Sequence, residues 1–144
     1  MSNTDFRIKV SNAIICDDIR REVSEKLILI GVYSGSIAIH NFPATLALSL
    51  YCEIMAEYEG SREVSLRAVV GKLPVSQMKF IAEGTPPGQS ATLILPPLPI
   101  TFSGETKLKF QISTDEKKWI TLIEKGVIKG GPFPGVASAL PPPS

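Results

Sequence analysis

Along most of this chain, apolar and polar residues alternate one for one. Residues 106–112 show it most clearly. Leu108, Phe110 and Ile112 fall on one side, and Lys107, Lys109 and Gln111 fall on the other. A period of two is that of a half-buried β-strand with one wet face, whereas an amphipathic helix repeats every 3.6 residues. About eight such segments recur, with turn signals between them.

Residues 6–10 and 13–16 form the first two, separated by a break at Ser11-Asn12. Runs at 27–33 and 37–40 follow, then Asn41-Phe42-Pro43 as a turn signal. Residues 44–58 are ambiguous. They contain good helix formers, and Pro43 suits a helix start. Yet Leu46, Leu48, Leu50 and Cys52 alternate with Ala47, Ser49 and Tyr51, which predicts a strand. Residues 64–70 complete a hairpin with it, and Met78, Phe80 and Ala82 mark another strand. The strand at 91–95 is expected to stop at Pro96, Pro97 and Pro99, because proline cannot donate to a ladder. The last strand starts at Trp119 and continues past Gly126.

Such a pattern predicts a single all-β domain, a two-sheet sandwich of about seven to nine mostly antiparallel strands, over residues 1–129. A closed barrel is the alternative. Residues 130–144 carry no charge and five prolines, and read as a Pro/Gly-rich tail. Leu46, Leu48, Leu66, Ala68, Phe80, Leu93, Leu108 and Phe110 are the expected core.

Charge excludes some partners. Fifteen Lys and Arg balance fourteen Asp and Glu, which leaves no field to steer nucleic acid or anionic lipid. Basic residues such as Arg7, Lys9, Lys79, Lys107 and Lys109 are spread over several strands without interleaved aromatics. The longest apolar stretch, 42–56, is broken by Pro43, Thr45, Ser49 and Glu53 and is unsuited to spanning a membrane. Residues 1–5 lack a secretory signal pattern, so a cytoplasmic protein is expected.

Chemistry-bearing motifs are absent. His40 is the sole histidine and has no partner at readable spacing. Cys16 and Cys52 sit in apolar runs and read as buried reduced thiols. No nucleophile elbow, phosphate-binding loop or Cys-x-x-Cys occurs. No catalytic residue, cofactor or metal is expected. The exceptional stretch is charged: Asp17, Asp18, Arg20, Arg21 and Glu22, continuing to Lys26. Its acids are too few, and too close to arginines, for the roughly six to eight oxygens of a calcium site. They are expected to pair with Arg20, Arg21 or Lys26 at a sheet edge or strand end. Exposed pairs contribute only about 0.2–1 kcal/mol each, so the patch reads as a recognition surface.

Asp17-Asp18-Ile19-Arg20-Arg21-Glu22, with Lys26-Leu27 and Ile30-Gly31-Val32-Tyr33, resembles an uncharacterised family of small bacterial and phage-associated β-sandwich proteins. The strand at 104–110 and the turn and strand after it also resemble that family's C-terminal half. The resemblance implies a β-sandwich in a bacterial or phage cytosol. It implies no activity and no functional residue.

The expected function is therefore non-enzymatic: a module that docks a protein partner, with homo-oligomerisation left open. The alternative is a binder of a small ligand such as a nucleotide signal. A hydrolase is the weakest reading.

Overall fold

The alternation is realised as nine strands: β1 (Ile8–Arg21), β2 (Leu27–Val32), β3 (Ile37–Ile39), β4 (Ala44–Ala56), β5 (Ser61–Val70), β6 (Leu73–Glu83), β7 (Ala91–Phe102), β8 (Thr106–Ser113) and β9 (Ile120–Lys129). This computed structural model describes residues 8–130, and there is no helix among them. The prolines of the tail at 131–144 and the start of the first expected strand lie outside the described residues.

Two sheets form. One is four-stranded in the order β2-β1-β4-β7, and the other is five-stranded in the order β3-β9-β8-β5-β6. Every pairing is antiparallel except β3 with β9. The all-β sandwich is thus the fold, and residues 44–56 are a strand. Alternation decides that segment because each second residue must face the opposite sheet. Leu48, Leu50, Cys52, Ile54 and Ala56 are all buried.

One core lies between the sheets. Ile15, Leu48, Leu50, Ile100 and Phe102 come from one side, and Val64, Leu66, Leu108, Phe110 and Ile112 from the other. Five of the eight expected core residues are buried (Leu48, Leu66, Ala68, Leu108 and Phe110). Leu46, Phe80 and Leu93 are partly buried and pack against that core from its margin.

Four local expectations are corrected. Residues 44–58 and 64–70 do not form a hairpin: β4 pairs with β1 and β7, β5 pairs with β6 and β8, and the turn between them carries the chain from one sheet to the other. The strand at 91 does not stop at the prolines; β7 runs through Pro96, Pro97 and Pro99 to Phe102. β7 is an edge strand that needs ladder donors on one side only, and its register with β4 shifts between Leu48 and Leu50, opposite Pro96-Pro97. Ser11-Asn12 is not a break but a bulge within β1, where the register shifts between Val10 and Asn12. Finally, the charged stretch does not separate two strands. It is the end of β1 itself, which continues to Arg21.

Candidate functional site

β1 has two halves with different support. From Ile8 to Cys16 it pairs with β4 in the middle of the four-stranded sheet. After Cys16 it leaves β4. From Asp18 to Arg21 its ladder partner is β2 alone, with Arg21 opposite Leu27 and Asp18 opposite Ile30. Residues 17–31 are therefore a two-stranded arm. The turn at 22–26 closes it: the Glu22 N–H donates to the Lys26 carbonyl (2.8 Å), and the Glu25 N–H to the Glu22 carbonyl (2.9 Å). Val23 at the tip is fully exposed. An isolated two-stranded ribbon is marginal in water.

Within the arm, β2 is apolar on both faces. Arg20 and Asp18 share one face with Ile28 and Ile30, each 43% exposed, and Val32 beyond them is 51% exposed. Ile19, Leu27 and Leu29 share the other face, half-buried but outside the central core cluster. β2 is also a sheet edge: among the described residues, one side of its backbone has no neighbouring strand. Its six residues carry no charge.

At the arm's base, Gly31 takes a left-handed conformation (φ +69°), which favours glycine. A Cβ there would collide with the Asp17 carboxylate, so the missing side chain is the seat that lets Asp17 lean over β2. Asp17 Oδ1 accepts a hydrogen bond from the Tyr33 hydroxyl (2.7 Å). Burial, then that bond to a carboxylate, push the Tyr33 phenol well above its ordinary range.

The charged residues read from sequence are all placed on this arm; Asp18 pairs with Arg20 as expected, and the other partners differ. Arg20 Nε donates to Asp18 Oδ2 at 2.9 Å, and the Arg20 side chain holds the Asp18 carboxyl below its usual range. Arg21 sits 3.9 Å from Glu25 rather than from an acid of the 17–22 stretch. Glu22 accepts from the Ser24 hydroxyl (3.1 Å). Asp17 is the correction: its partner is a phenol, and no ion pair to it occurs among the described residues. Tyr33 supplies the near neighbour that a search for oppositely charged residues overlooks.

Elsewhere, several polar side chains pair with one another. On the outer face of the five-stranded sheet, the Arg67 guanidinium lies 3.9 Å from the Trp119 ring centre and donates to Gln111 Oε1 (3.0 Å), whose amide donates to Thr121. Lys107 and Lys109 each lie 3.6 Å from Glu124. A pocket of about 330 Å³ lies where the β4–β5 turn meets the β6–β7 loop, lined by Tyr58, Thr85 and Pro86 and by two acids, Glu57 and Glu59. Cys16 and Cys52 are buried free thiols; burial pushes both up, Cys52 to about 12. His40 is exposed just past β3. Among the described residues, no three His, Cys, Asp or Glu side chains converge as metal ligands, and no helix is long and apolar enough to cross a membrane.

No protein-family model matches this chain, and neither does any curated protein.

Proposed function

We propose that this protein is a non-enzymatic interaction module that docks a protein partner through the β1–β2 arm. One observation carries the reading: an uncharged, six-residue edge strand is left open, with Ile28, Ile30 and Val32 exposed beside a cluster of charged residues. Proteins ordinarily blunt such edges, since open backbone groups recruit another strand. Recognition by strand addition uses the same groups: main-chain bonds supply affinity, and flanking side chains supply specificity. Asp18, Arg20, Arg21 and Glu22 are the flanking charges here, with Asp17 at the base.

The small-ligand alternative gains little. Glu57 and Glu59 line the pocket beside the β4–β5 turn and repel an anionic nucleotide. Catalysis has even less support, since both thiols are held protonated and protonated thiols are poor nucleophiles. A bacterial or phage cytoplasm belongs to the same proposal and rests on the resemblance of residues 17–33.

The test is a photo-cross-linking amino acid placed at Ile30 and, separately, at Lys107 on the saturated polar face, in the cells that make the protein. Ile30 is expected to yield a discrete protein adduct that disappears when Arg20 and Arg21 are both changed to Glu. The same diffuse pattern at both positions refutes docking by the arm.

A further inference from the structure

The chemistry of the open edge favours a particular occupant. We propose that the strand added to β2 is β2 of a second copy of this chain, paired antiparallel about Leu29. This rests on the docking reading above and names its partner. Pairing about Leu29 sets Ile28 opposite Ile30 twice, so that four isoleucines become contiguous on one face. It also sets Leu27 of each copy opposite Gly31 of the other. The two four-stranded sheets then run together as one sheet of eight strands.

Charge selects that register. Asp17 and Arg21 lie four residues apart on β1, and the pairs Cys16–Val32 and Asp18–Ile30 flank Asp17 and Gly31. Asp17 leans over Gly31, towards the open edge, with Oδ1 bonded to Tyr33 and Oδ2 nearest the space a Gly31 Cβ would fill. Arg21 stands directly across Leu27. With Leu27 opposite Gly31 of the second copy, Arg21 is two strand spacings from that glycine, on the order of 10 Å between backbones. Arg21 lies 3.9 Å from Glu25 in the single copy; swung out over Leu27 it would meet the aspartate that leans over Gly31 of the second copy. The two-fold relation repeats the pair, so each copy's Asp17 faces the other's Arg21. A slip of two residues, to pairing about Ile30, sets Leu27 opposite Tyr33 and destroys both pairs. The ion pairs thus fix a register that the apolar side chains alone leave loose.

Sedimentation of the full chain over a range of concentrations tests this. The wild type is expected to show a reversible monomer–dimer equilibrium, and Ile30→Lys is expected to be monomeric. Asp17→Arg and Arg21→Asp each convert two attractions into two repulsions and are expected to weaken self-association by about tenfold or more. Mixed together, the two charge variants are expected to regain wild-type association. The arginine introduced at position 17 of one copy then faces the aspartate introduced at position 21 of the other, and the second pair keeps its native Asp17 and Arg21. Circular dichroism checks folding. Should Asp17→Arg not fold, Arg21→Asp and Ile30→Lys still decide, since both must weaken the dimer. A wild type that stays monomeric, charge variants that dimerise as well as the wild type, or a mixture no better than its components each overturn the proposal. A monomeric wild type that still gives a discrete cross-link from Ile30 to another protein overturns self-pairing while leaving arm docking in place. If that cross-link is also absent, both readings fail.

Discussion

β2 and β6 are both unpaired edges, and together they carry most of the exposed large apolar side chains: Ile28, Ile30 and Val32 on β2, and Leu73, Val75, Met78 and Ile81 on β6. They manage that exposure in different ways. β6 begins Leu73-Pro74, and its register with β5 shifts near Val75. In its middle stands Lys79, held between Glu63 (4.0 Å) and Glu116 (3.6 Å). Proline, a bulge and a lysine are the usual guards against edge-to-edge pairing. β2 has none of them. Its charges lie one strand inward on β1, beside the edge rather than on it. A guarded edge keeps a sheet closed, whereas an edge flanked by charge is selective about what joins it.

The largest effect should separate what the core supports from what it does not. Phe110 is fully buried in β8, and Phe110→Ala should cost about 3–5 kcal/mol in urea unfolding. Amide exchange should then quicken along β5, β6 and β8 together. The arm at residues 17–31, which opens locally at low cost, should change little. Arm amides as protected as those of β5 in the wild type would break the comparison.

A pair of glycines sharpens it. Gly31 and Gly71 both have positive φ, at 69° and 64°. Alanine at either should cost about 1–2 kcal/mol through its backbone. Only Gly31→Ala also displaces Asp17, so only that variant should alter the Tyr33 ring resonances in NMR spectra. At Gly71 the new methyl would meet the Thr106 hydroxyl instead, 3.1 Å away.

Two buried serines compare the outer faces behind these edges. Ser65, on the five-stranded sheet, donates to Glu116 (3.1 Å). Ser49, which pairs with Cys16 at the root of the arm, has a buried hydroxyl with no hydrogen-bond partner among the described residues. An orphaned buried hydroxyl costs about 1–3 kcal/mol, and a satisfied one contributes about 1 kcal/mol. Ser49→Ala should therefore raise the melting temperature and Ser65→Ala lower it. Shifts of the same sign would show that the two faces are not organised differently.

The smallest change in stability falls on the guard itself. Lys79→Ile should move the unfolding free energy by no more than about 0.5 kcal/mol, as an exposed substitution does. It should nonetheless make the protein scatter light on concentration, because it leaves β6 with a long apolar edge. A variant as soluble as the wild type would mean that Pro74 and the bulge are sufficient guards.

Much of the fold was legible in the residues. Alternation located the strands and their buried faces, because burial on one side of a pleated sheet is a strictly local, every-second-residue demand. It misjudged Pro96, Pro97 and Pro99 because whether a missing N–H matters depends on having a neighbour on that side. The charged stretch could be singled out as unusual, and the structure brings all five of its named residues to one arm. Its pairing could not be read: Asp17 finds Tyr33, sixteen residues on, through a hairpin whose base opens at a glycine.

By itself, then, the sequence determined the class of fold, the faces turned inward, the neutral charge balance and the location of the one dense charge cluster. These follow from short-range periodicity and composition. Only the tertiary structure decided that β1 parts from β4 after Cys16, that β2 has no second neighbour among the described residues, and that Asp17 leans over Gly31 towards the open side. Being an edge is a property of sheet order. It arises from pairings between residues far apart in the chain, and the six residues of β2 carry no local mark of it.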